Sequence, residues 1–135
     1  MANRSFLPPL GALEVDVVDL FAKITIGTSG SVTASGGSYS GKGIASVTKE
    51  STAGQYTILL SDAYNSFLFG SVSLMDDTDS SPATVAVETR FISEDVDSAK
   101  TIVIQGYNSD DGAVDDYASG AVLYVHLKLR NSSVS

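Results

Sequence analysis

The chain has 135 residues, 43% hydrophobic and 18% charged, which suits one domain with an ordinary core and excludes a disordered chain. Its net charge of −8, eight basic residues against sixteen acidic ones with no basic run, argues against binding nucleic-acid phosphates or anionic membranes. Zero Cys excludes disulfides, thiolate metal sites and Cys nucleophiles; no Trp and one His leave sugar platforms and His-based catalysis poorly supplied.

In chain order, Met1–Glu14 reads as an extended arm and Val15–Ser135 as a single β domain. Pro8 and Pro9 fix φ, donate no backbone hydrogen bond and hold Leu7 out of helical geometry. Phe6, Leu7, Leu10 and Leu13 nevertheless favour burial. The arm is therefore expected to seat on a neighbouring chain or to plug the open end of its own sandwich. Pro8, Pro9 and Gly11, followed by Glu14 and Asp16, also interrupt the apolar run of a secretory signal. No stretch approaches the roughly 20 apolar residues of a membrane-spanning helix. The glycosylation patterns Asn3-Arg4-Ser5 and Asn131-Ser132-Ser133 then read as chance.

Past the arm, period-2 alternation broken by Gly, Ser, Asp and Asn clusters predicts an all-β fold, an antiparallel sandwich or a jelly-roll-like barrel. Leu20, Ala22, Ile24 and Ile26 share one strand face, with Phe21, Lys23 and Thr25 on the other, although Ala12–Phe21 also carries helical spacing. Gly27–Gly43 reads as a loop with a short strand at Ser31–Ala34. Ile44–Lys49 and Gln55–Ser61 form a hairpin, with Tyr56, Ile58 and Leu60 on one face. Phe67–Met75 is apolar on both faces, Leu68, Val72 and Leu74 opposite Phe67, Phe69 and Ser71, and is expected to be central or covered. Asp76–Pro82 is a loop, Thr84–Ile92 a strand, Ser93–Ala99 a turn or one helical turn, and Thr101–Gly106 a short strand. After an acidic loop at Tyr107–Gly120, the last strand alternates cleanly: Ala121, Leu123, Val125, Leu127 and Leu129 against Val122, Tyr124, His126, Lys128 and Arg130. A one-residue slip there exposes the whole aliphatic row, so its register is expected to be firm.

Asn108, Asp110, Asp111, Asp115 and Asp116 surround Gly112 and invite a calcium reading, but the spacing is irregular and the distal Glu is missing. They are expected to form a solvated loop, as are Asp76, Asp77 and Asp79. Glu88 and Glu94 lack the pairing a glycosidase needs; Glu88 more simply faces solvent with Arg90. His126 has no Gly-x-Ser-x-Gly nucleophile to serve and is expected beside Tyr124 and Lys128 at a surface or subunit interface. Gly36-Gly37 and Gly41-Lys42-Gly43 are turns, not a phosphate loop. Tyr39, Tyr64, Tyr107 and Tyr117 are candidate contacts for a glycan or a protein. No metal site and no cofactor are expected.

Asn3-Arg4-Ser5-Phe6-Leu7-Pro8-Pro9-Leu10-Gly11-Ala12-Leu13-Glu14 resembles the start of small virion proteins of tailed bacteriophages. So do Ser40–Thr48, Gly54–Ile58 and Ser119–Val125 ahead of Leu127–Asn131. Such proteins are similar to head decoration, or cement, proteins. The resemblance implies a non-enzymatic role on the outer capsid surface, with the major capsid protein as partner and a homo-oligomer, a trimer foremost. Arg4, Phe6, Leu7, Pro8, Pro9, Leu10 and Leu13 are then expected to carry the partner contact. The alternative is a phage tail or spike domain binding a host glycan through loop Tyr and Asp residues.

Overall fold

A computed structural model describes residues 16–75 and 87–131. The eight strands are β1 (Val17–Thr25), β2 (Ser38–Ser40), β3 (Ile44–Lys49), β4 (Gln55–Leu60), β5 (Ser66–Met75), β6 (Val87–Asp95), β7 (Thr101–Asn108) and β8 (Val122–Arg130). They form two antiparallel four-stranded sheets, ordered β2-β1-β8-β5 and β3-β4-β7-β6. The two sheets do not close on one another, so the architecture is a sandwich and not a barrel. The arm, the Asp76–Pro82 loop and the start of the Thr84–Ile92 strand lie outside the described residues.

The core is built by alternation. Leu20, Ala22 and Ile24 of β1 and Leu123, Val125, Leu127 and Leu129 of β8 point inward, against Tyr56, Ile58 and Leu60 of β4 and Ile102 and Ile104 of β7. Each fully buried aliphatic side chain stabilises the fold by about 1.5–3 kcal/mol relative to exposure. The buried Tyr56 hydroxyl donates to the Gly30 carbonyl at 2.8 Å, and the Tyr117 hydroxyl meets Thr89 Oγ1 at 2.6 Å. Burial raises both phenols above their ordinary range.

Four expectations need correction. The strand in Gly27–Gly43 is Ser38–Ser40, not Ser31–Ala34. Residues 27–37 instead coil through turns closed by Gly27 N–H to Ser31 O and Gly37 N–H to Ala34 O, and Val32 drops into the core. The helical spacing at Ala12–Phe21 yields to strand from Val17 onward, because β8 supplies a full ladder for it. Ser93–Asp95 continues β6, since a bulge between Phe91 and Ser93 resets its pairing with β7. Finally, β5 is an edge strand, not a central one. A bulge between Phe67 and Phe69 turns Phe67 inward, to meet Phe91 at 5.5 Å, and leaves Phe69 on the outer face.

One node ties the hairpin to the acidic loop. Asp116 Oδ1 accepts from Gly54 N–H at 2.6 Å and lies 3.3 Å from Lys49 Nζ, while Gly106 N–H donates to Gly54 O. Gly54 has φ +66, and a Cβ there would run into the Asp115 carbonyl. Gly54→Ala is therefore expected to lower stability by about 2–4 kcal/mol, measured by denaturant unfolding, through a left-handed backbone and that collision.

Candidate functional site

The ladder registers place Asp19, Phe21 and Lys23 of β1 directly beside Lys128, His126 and Tyr124 of β8, all on the outer face of the first sheet. On the other side of β8, Phe69, Ser71 and Ser73 of β5 align with the same three residues. The expected grouping of Tyr124, His126 and Lys128 is thus observed, with one strand's width of partners on either side.

At the centre, the Phe21 and His126 rings stack at 4.6 Å and 12°, and Phe69 meets His126 edge-on at 6.1 Å. These aromatic groups remain open to solvent: Phe21 is 63% exposed, Phe69 52% and Tyr124 42%. A shallow hollow of about 240 Å³ lies beside Phe21 and Tyr124, lined by these two with Ser71, Ser73 and His126. The outer face of the second sheet differs. There Ser46, Thr48, Gln55, Thr57 and Thr101 share the surface with the half-buried Leu59 and Val103, and Glu88, Arg90 and the exposed Ile92 lie at the β6 edge.

The charges of the first sheet's face also run against the rest of the molecule. Its strand positions carry Lys23, Lys128 and Arg130 against one carboxylate, Asp19, although the chain holds sixteen acidic and eight basic residues. Asp19 Oδ1 accepts from His126 Nε2 at 2.8 Å and from Lys128 Nζ at 2.9 Å. The hydrogen bond from His126 first, and that from Lys128 next, hold the Asp19 carboxyl below its ordinary value. An exposed aromatic centre with a polar rim is the arrangement common in protein interfaces. Ser71 lies across the ladder from His126, yet on a regular strand and not on the strained turn that exposes a nucleophilic Ser.

The other candidates separate. Asn108 accepts from Asp110 N–H, Asp111 from Ala113 N–H and Asp115 from Asp116 N–H, so the acidic loop's oxygens shape turns. Among the described residues, no three His, Cys, Asp or Glu side chains gather to hold a metal; Asp76, Asp77 and Asp79 lie outside them. Glu88 pairs with Arg90 at 3.5 Å, and Glu94 accepts from Val96 N–H. Six residues apart on one strand, these carboxylates stand roughly 20 Å from each other, too far for glycoside hydrolysis. Tyr64 and Tyr117 are buried, and Tyr107 lies under the Arg90 guanidinium at 4.6 Å, which removes most of the loop tyrosines a glycan would stack on. Arg4, Phe6, Leu7, Pro8, Pro9, Leu10 and Leu13 lie outside the described residues.

Phe21, Phe69 and Asp19 were not singled out by their own motifs. The alternation in Leu20–Ile26 already turns Phe21 outward; that it stacks on a histidine over a hundred residues away depends on strand order.

Because the Asp19 carboxyl is held low in the folded chain, the stability it contributes is present above its ordinary value of 3.8 and lost as pH falls through the lower folded value. His126→Ala is expected to move the Asp19 titration upward toward that ordinary value, and Lys128→Met to move it less, read by NMR of the carboxyl carbon. Comparison with family models, curated proteins and solved structures finds no match to this chain, so the reading of this face rests on its own residues.

Proposed function

We propose that the protein is a non-enzymatic head decoration, or cement, protein of a tailed bacteriophage. It sits on the outer capsid surface and bridges neighbouring major capsid subunits through its N-terminal arm, with copies associating as a homo-oligomer. The observation that carries this reading is the exposed aromatic face of the first sheet on an otherwise acidic sandwich. Apolar surface gathered in this way marks contact with other macromolecules.

Three further points support the proposal. The Asn3–Glu14 segment and the strand segments quoted above resemble those of phage virion proteins. The net charge of −8 suits a shell exterior, whereas packaged DNA would repel such a protein from the lumen. Phe6, Leu7, Leu10 and Leu13 each contribute about 1.5–3 kcal/mol when fully buried on a capsid subunit, before the cost of ordering the arm. Many copies on one shell multiply that gain by avidity.

Deleting Met1–Leu13 is expected to leave a folded domain that no longer decorates heads, measured by gradient sedimentation of heads mixed with the protein. Full decoration by the shortened chain would overturn the arm's role.

A further inference from the structure

We infer that the outer face of the first sheet pairs with the same face of a second copy, across a two-fold axis that crosses the strands at the Phe21–His126–Ser71 row. This deepens the assembly reading above and rests on it only in that both require copies to associate. It makes the elementary contact a pair, whereas the resemblance implies a trimer.

Rows on this face are Asp19–Lys128–Phe69, then Phe21–His126–Ser71, then Lys23–Tyr124–Ser73, in order along the strands. A two-fold axis lying along the middle row maps each strand onto its counterpart and exchanges the outer rows. Asp19 of one copy then opposes Lys23 of the other, and Lys128 opposes the Tyr124 ring. Phe69 opposes Ser73, at the side of the hollow formed by Ser71, Ser73, Tyr124, Phe21 and His126. Acid meets base, cation meets aromatic face, and the large side chain meets the small one. The middle row stacks Phe21 and His126 on their own equivalents.

Packed sheets lie about 10 Å apart with strands rotated by about 30°, a turn that long Lys side chains two residues from the axis can span. The three long strands β1, β8 and β5 with the short β2 present on the order of 500 Å² per copy, so the pair buries about 1,000 Å² in total, the lower bound for a specific interface. A second two-fold, running along the strands between β1 and β8, also opposes unlike charges. It would set Asp19 against Lys128, which Asp19 already engages within its own chain, and it would leave Phe69 opposite the short β2 edge and not beside the hollow.

Each charge pair occurs twice in the two-fold, which gives a direct test on the full chain by sedimentation velocity across a concentration series. The natural chain is expected to associate reversibly to a dimer. Asp19→Lys opposes two lysines at each pair and Lys23→Asp opposes two aspartates, so each variant alone is expected to dimerise at least tenfold more weakly. Mixed together, they restore complementarity at both pairs, and the heterodimer is expected to recover the natural affinity. That recovery also shows that neither variant is misfolded; Phe21→Ser, in the middle row, is expected to weaken the dimer and to gain nothing from mixing.

A natural chain that stays monomeric up to about 1 mM overturns the inference. So does a dimer indifferent to all three substitutions, which places the contact elsewhere, and so do singles that weaken without recovering on mixing. A monomer whose Phe69 and Tyr124 signals change when Met1–Leu13 is deleted puts the chain's own arm on this face instead. Both charge variants keep the arm, so their decoration of heads tests the proposed function separately from the pairing.

Discussion

The pairing of β1 with β8 is the constraint on which the rest of the structure depends. It joins the first and last described strands in nine consecutive partnered positions, Val17 with Arg130 through Thr25 with Val122. Closing nearly the whole chain into one ladder costs loop entropy, which the shared aliphatic row of Leu20, Ala22 and Ile24 beside Leu127, Val125 and Leu123 offsets. Because side chains alternate, the register that buries this row also sets Asp19, Phe21 and Lys23 beside Lys128, His126 and Tyr124 outside. A slip by one residue would place the aromatic and charged set in the core and the aliphatic set in water. The core and the candidate interface are thus two sides of one pairing.

The second sheet and its loops serve a different role. Its hairpin, the Lys49–Asp116–Gly54 node and the turn-forming carboxylates of the acidic loop anchor chain segments to one another. Gln105, buried on β7, donates to the Ala53 and Gly106 carbonyls and fastens the hairpin tip to the same sheet. Its outer face mixes hydroxyl and amide groups with the half-buried Leu59 and Val103. The exposed rings of Phe21, Phe69 and Tyr124 lie instead on the first sheet, together with Lys23 and Lys128.

This arrangement explains why a motif reading finds little chemistry in the chain. Catalytic and metal motifs are local patterns, whereas the acids here either shape turns, as Asp111 and Asp115 do, or pair with residues distant in sequence, as Asp19 and Asp116 do. The aromatic–cationic face consists of residues from three strands that lie far apart in sequence. Only their ladder registers bring Phe21, Phe69 and His126 within ring contact.

Much of the fold was legible because strand alternation is a local property of a pleated backbone. The rows Leu20–Ile26, Tyr56–Leu60 and Leu123–Leu129 announce their buried faces, and the Ile44–Leu60 hairpin follows from two such rows joined by a short turn. The outward orientation of Phe21, Tyr124, His126 and Lys128 follows from the same alternation. Tertiary structure alone decided that β5 lies at an edge, that its bulge separates Phe67 from Phe69, and that the loop after β1 sends Ser38–Ser40, not Ser31–Ala34, to pair. A bulge or an edge position depends on which strand lies alongside and what covers it, and those neighbours are chosen by pairing free energy between distant segments, which no local period records.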